Sequence, residues 1–183
     1  MNQVQLPFST VITAEELKGF THYEERKLSD MKGYFADEEA RAAMEQSADQ
    51  VVYQVYRVEV PPEEGELLHC LTVIQPGQVA GECFMTKGHY HLNEKCAEIY
   101  VGVKGKGVLL MQKGQEVRTI EMRENTAAYI PAGWGHRTIN VSADQPFVFF
   151  SVWPGHSGYD YQRAVEEPFV KRVYLRPDGY EVK

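Results

Sequence analysis

Cysteine is scarce in this chain. Cys70, Cys83 and Cys96 are an odd set with no C-x-x-C pair, so a disulfide framework is not expected. No apolar run approaches the roughly 20 residues of a membrane helix. The leading "MNQVQLPFSTVITAEEL" lacks the basic-then-apolar succession of a secretory signal. Positive charge is in deficit, 19 Lys and Arg against 26 Asp and Glu, for a net charge of −7. That balance argues against a nucleic-acid or anionic-membrane partner but leaves room for a locally basic pocket and a small anion. A Gly-rich phosphate loop is also missing. Gly102, Gly105 and Gly107 in "VGVKGKG" lie between two strand-like runs with no helix after them, which reads as a hairpin turn. A reducing, cytoplasmic setting is the expectation.

The 183 residues suffice for one core. Two helical patterns open the chain. Thr13 followed by Glu16 reads as a capping box for a short helix through "AEELKGF". "ADEEARAAMEQSA" is rich in helix formers, with acids in its first turn. From residue 51 the period changes. "VVYQVYRVEV", "LLHCLTVIQPG", "EIYVGVKG", "GVLLMQKG", "VRTIEM", "TAAYIPAG", "HRTINV", "PFVFFSVWPG" and "FVKRVYLRPDG" are β-branched and aromatic and are punctuated by turn residues. No long helix separates them. The pattern predicts an all-β sandwich or small barrel over 51–183, preceded by a helical N-terminal arm over 1–50, one domain overall.

The chemistry concentrates in "TKGHYHLNEKCAEIY". His89 and His91 are two apart, so on a strand they share a face. Glu98 stands at an odd interval, but "LNEK" is turn-like and folds the next strand back toward the histidines, with Tyr100 on the same face as Glu98. His136, after the turn in "PAGWGH", begins another strand and can reach the same interior. Three imidazoles and one carboxylate suit Fe(II), Mn(II), Ni(II) or Zn(II). Cys96 is close enough to be mistaken for a ligand. His22 and His69 read as ordinary strand residues, Arg137 as structural, and Phe147, Phe149 and Phe150 as core.

His89, His91, Glu98 and Gly105, then Pro131, Gly133, His136 and Asn140, resemble the two cupin motifs, with Cys83 and Asn125 where each leading glycine is usual. "LSDMKGYF", "TKGHYH", "EIYVGVKGKGVLLMQ" and "YIPAGWGHRTINV" are similar to one branch, the cupin-type (archaeal-type) phosphoglucose isomerases, from about Leu28 to Tyr161. That resemblance implies a double-stranded β-helix (jelly-roll barrel) and interconversion of glucose 6-phosphate and fructose 6-phosphate. It further implies a homodimer with one divalent metal per subunit, most often iron. His89, His91, Glu98 and His136 are then the metal ligands. Thr72, Thr86 and Gly88 contact the sugar phosphate, and Tyr53, Tyr100 and Tyr161 line the pocket.

Two positions depart from that family's pattern. Tyr159 replaces a histidine that helps to hold substrate, and Trp153 stands where a tyrosine is common. His156 is near enough in sequence to stand in for the missing imidazole. Lys87 has two readings, a phosphate ligand or a solvated charge. Glu98 is the candidate base, and Tyr100 or Tyr53 would orient the C1 and C2 oxygens. Hydrogen moves between those carbons either as a proton through a cis-enediol or as a hydride, and the residues admit both routes. An Fe(II) dioxygenase and a non-catalytic sugar-phosphate-binding cupin share the same ligand set.

Overall fold

The computed structural model describes residues 6–183, so the first five residues of the expected arm lie outside it. Strands β1 (Val11–Ile12) and β2 (Leu17–Lys18) form a small hairpin, followed by β3 (His22–Lys27), a 3-10 turn (Leu28–Met31) and helix α1 (Glu38–Ser47). Next come β4 (Val51–Val58), β5 (Leu67–Ile74), β6 (Gln78–Val79) and β7 (Glu82–Cys83). After an extended segment follow β8 (Glu98–Lys104), β9 (Lys106–Lys113), β10 (Glu116–Arg123), β11 (Ala127–Ile130), β12 (Gly135–Asn140) and β13 (Phe147–Pro154). Helix α2 (Tyr161–Glu166) and the hairpin β14 (Val173–Arg176) and β15 (Gly179–Val182) close the chain.

A six-stranded antiparallel sheet in the order β11-β8-β13-β5-β4-β3 faces a three-stranded one, β10-β9-β12. Phe147, Phe149, Leu109, Ile139 and Met122 are buried in one cluster drawn from both sheets. This is the all-β sandwich or small barrel that the alternating strands predict, in the jelly-roll form that the cupin resemblance implies. The glycines of "VGVKGKG" do turn a hairpin: Gly105, at φ +78, links β8 to β9.

Of the two helices expected in the first fifty residues, one forms. Asp37 caps α1 by accepting a hydrogen bond from the Ala40 amide (2.8 Å). Arg41 anchors the helix, buried between Glu38 (2.8 Å), Glu45 (2.5 Å) and the Leu28 carbonyl (2.8 Å). The helix expected through "AEELKGF" is absent. Thr13 does accept from the Glu15 and Glu16 amides (3.2 and 3.0 Å), but its hydroxyl also donates back to the Glu16 carbonyl (2.8 Å) and closes a turn. Only Leu17 of this stretch is fully buried, and Gly19, at φ +88, reverses the chain. One buried side chain cannot anchor a helical stripe.

The arm also contributes a strand. β3, "HYEERK", pairs along β4 from His22↔Arg57 to Lys27↔Val51, so the main sheet takes in residues from both sides of position 50. Its charged composition hid it, because one face of the strand lines a cavity rather than the core.

Candidate active site

The segment after β7 runs antiparallel to β12. His89 and His136 form a mutual bridge: the His89 amide donates to the His136 carbonyl (3.1 Å) and the His136 amide to the His89 carbonyl (3.0 Å). Two histidines 47 positions apart in the numbering therefore become cross-strand neighbours, with ring centroids 4.4 Å apart. His91 lies two residues on, its ring 5.6 Å from that of His89. The chain then turns at Asn93, whose carbonyl accepts from the Cys96 amide (3.0 Å), and returns as β8 with Glu98 first.

Backbone carbonyls set the tautomers. His91 Nδ1 is 3.1 Å from the Cys96 carbonyl and His136 Nδ1 is 3.2 Å from the Trp134 carbonyl. A carbonyl only accepts, so each Nδ1 carries its proton and each Nε2 presents a lone pair to the interior. His91 Nε2 is 3.2 Å and His136 Nε2 3.1 Å from the same Glu98 oxygen, the latter without the alignment of a hydrogen bond. Among the described residues, His89 Nε2 and His136 Nε2 are buried with no hydrogen-bond partner. One ligand atom from each of His89, His91, Glu98 and His136 lies within 4.8 Å of the others. A converging set of buried lone pairs, two of them unpartnered, fits a divalent cation.

The charge states agree with that fit. Burial pushes the His89 pKa well below the ordinary imidazole value, and His136 beside it pushes the same way, so the ring stays neutral. Burial raises the Glu98 pKa, but the His136 and His91 imidazoles outweigh it and hold the carboxyl at about 2. For His91, burial lowers the pKa and the Glu98 carboxylate raises it by more. Burial, then the Glu98 charge, raises Tyr100 well above the ordinary phenol value, and its hydroxyl remains a donor.

A cavity of about 250 Å³ opens beside this cluster. Tyr100, Tyr53, Tyr159, Tyr161 and Trp153 line it, as do Thr72, Thr86, Lys87 and Gly88, so the cavity brings together every pocket residue expected from the sequence. Thr86 Oγ1 accepts the Thr138 amide (3.1 Å), which leaves its own proton free for a ligand. Lys87 lines the cavity, lies 5.4 Å from the Tyr34 ring and has its pKa lowered by burial, which favours the first of its two readings. Arg137 turns away from the cluster, stacks on Phe169 (4.6 Å) and donates to the Lys87 carbonyl (2.8 Å). His156 does not line the cavity. Its Nε2 is 3.6 Å from Cys96 Sγ, behind His91, and it supplies no imidazole to the pocket in place of Tyr159.

Three further charged residues face the cavity: Glu24 and Arg26 on β3 and Arg57 on β4. Arg26 pairs with Glu24, and Arg57 Nη1 lies 3.8 Å from the same carboxylate. The one available signal was parity, because Tyr53, Val55 and Arg57 alternate on β4 and therefore share a face.

A jelly-roll barrel that gathers three imidazoles and one carboxylate beside a side-chain-lined cavity defines a cupin-type protein with a candidate metal centre. The fold is shared with an oxalate oxidase structure at TM-score 0.50 and 14% identity, over 62% of this chain and 56% of that one. Residues 25–179 match the family model described as glucose-6-phosphate isomerase (GPI). The chain is 46% identical to the glucose-6-phosphate isomerase of Thermococcus litoralis over 171 residues, 93% of this chain and 87% of that protein. It is also 46% identical to the Pyrococcus horikoshii enzyme of the same name, over 86% of this chain and 82% of that protein. This chain belongs to the glucose-6-phosphate isomerase family.

Proposed function

We propose that the chain is an aldose–ketose isomerase that interconverts glucose 6-phosphate and fructose 6-phosphate at the cavity beside the His89–His91–Glu98–His136 cluster, as a homodimer. The supporting observation is the juxtaposition of four converging ligand atoms with a donor-rich cavity that can take a phosphorylated sugar. Family membership supports the substrate pair. Those four side chains would hold one divalent metal, Fe(II) by preference, with Mn(II), Zn(II) and Ni(II) as alternatives. When bound, the metal would supply Lewis acidity to the reacting carbon–oxygen groups of the sugar.

The protein's own groups divide the remaining work. Ionised Glu98 accepts the proton that leaves one carbon and returns it to the other. Tyr100 hydrogen-bonds an oxygen of the reacting carbons, and Tyr53 helps to orient them. The Thr72 and Thr86 hydroxyls, the Gly88 amide and Lys87 hold the phosphate, while Trp153, Tyr159 and Tyr161 wall the sugar and keep water out. For the homodimer, the support is the outer face of the six-stranded sheet, where Val101, Val103, Phe150 and Val152 are only half-buried and Ile99 is 45% exposed. An antiparallel sheet facing water is normally polar on that side, and a second copy would cover it.

The test is to strip the protein with EDTA and assay fructose 6-phosphate conversion with and without Fe(II) or Mn(II). Turnover that disappears on stripping and returns with metal is the expected result. Absence of turnover in metal-loaded protein would overturn the isomerase reading and favour a dioxygenase or a non-catalytic binding protein.

A further inference from the structure

Arg57 is one of three charged cavity residues, with Glu24 and Arg26, that have no role in the reading above. Strand register fixes where it stands. Arg57 faces Cys70 on β5, Cys70 faces Ser151 on β13, and Ser151 faces Tyr100 on β8. Arg57 thus shares one cross-strand row with Tyr100, across the cavity from the metal cluster. Cys70 and Ser151 between them are small and neutral. Their sulfur and hydroxyl are 3.4 Å apart, and burial, partly offset by that contact, raises the thiol pKa to about 11. Nothing in the row blocks or neutralises the guanidinium.

Charge counting sharpens the point. The cavity wall carries three cations, Arg26, Arg57 and Lys87, and two carboxylates, Glu24 and Glu98. Glu98 belongs to the ligand cluster, so Glu24 is the one cavity-lining carboxylate left for three cations, with Glu59 holding Arg57 from outside the lining. Glu24 is nearer to Arg26, and its 3.8 Å separation from Arg57 Nη1 is too long for a hydrogen bond. The other arm of Arg57 is held by Glu59 at 3.0 Å, a carboxylate 56% exposed. An oriented guanidinium with one arm directed into a cation-rich cavity is suited to an oxyanion. A phosphomonoester carries about −1.5 to −2 charges at neutral pH, and the positive charge left on this wall would attract it. Tyr159, which replaces the family's histidine, brings no charge to the same wall, and His156 stands outside the cavity.

We propose that Arg57 is a substrate-binding cation of this site that selects phosphorylated over unphosphorylated hexose and makes up for the missing imidazole at position 159. The proposal rests on the phosphosugar reading above. Metal-loaded wild type and Arg57→Ala are assayed for fructose 6-phosphate turnover and for inhibition by inorganic phosphate, and phosphate binding to both is measured by calorimetry. In the variant, KM and the phosphate inhibition constant should rise together by at least about tenfold, the scale of a lost charge-assisted hydrogen bond. Arg57→Lys should recover part of that loss. A KM and phosphate constant within about twofold of wild type, or a fall in kcat at constant KM, would overturn the proposal. If wild type shows no turnover, the isomerase reading fails separately, and the calorimetric comparison still decides for or against Arg57 as an anion ligand. Arg57→Gln, which keeps the stem and a donor to Glu59, replaces the alanine variant if that fails to fold, with the same outcomes.

Discussion

The proposed reaction asks two jobs of Glu98 in one place, metal ligand and base. A single oxygen of its carboxylate lies close to two imidazole nitrogens, and its depressed pKa suits a ligand better than a base. Glu98→Gln separates the roles, because the amide keeps shape and one acceptor oxygen but cannot take a proton. We expect elemental analysis to find metal retained while kcat falls about 10²–10⁴-fold, the usual worth of a general base. Turnover near wild type would remove Glu98 from the chemistry and favour a hydride route. At this scale the sequence was informative where residue type and spacing coincide, as for His89, His91 and His136. It was silent on Glu24, Arg26 and Arg57, because a charged strand residue ordinarily faces water and only the folded sheet shows these three turned inward.

The decisive element is the segment that runs from Phe84 to His91 beside β12, since it alone brings His89 to His136. Gly88 sits in it at φ +76, where an added Cβ would lie 2.7 Å from the Phe169 ring and 2.9 Å from the His136 carbonyl. Arg137, bonded to the Lys87 carbonyl and stacked on Phe169, clamps the same place. Gly88→Ala should therefore cost about 1–3 kcal/mol in denaturant unfolding from backbone strain and overpacking and should lower metal content by displacing His89. Unchanged stability and metal content would mean that the segment yields more readily than its packing indicates. Elements were legible where side chains alternate or acids open a helix, as in β4 and α1. They were misread where a local pattern lacked tertiary support. Thr13 makes the predicted hydrogen bonds yet closes only a turn, since Leu17 alone has a core to enter.

At the scale of the molecule, the barrel's inner face carries the site and its outer face remains apolar. If a second copy covers that outer face, Ile99→Asp should convert dimer to monomer in analytical ultracentrifugation without loss of metal, since Ile99 points away from the cluster that Glu98 enters. An unchanged sedimentation coefficient, or a monomeric wild type, would rule this face out. Among the described residues no helix is long and apolar enough to cross a membrane.

The cavity wall is gathered from Glu24 at one end of the chain to Tyr161 near the other, and this spread bears on the order of events during folding. The β4–β5 pairing is local, but β13 joins β5 and β8 across long stretches of chain, and such non-local closures are the slow steps of β-rich folding. The cavity wall is therefore complete only once β13 stands between β5 and β8, since Phe149, Ser151 and Trp153 belong to it. A nascent chain released before residue 161 would have all four metal ligands in its sequence and still lack a complete pocket.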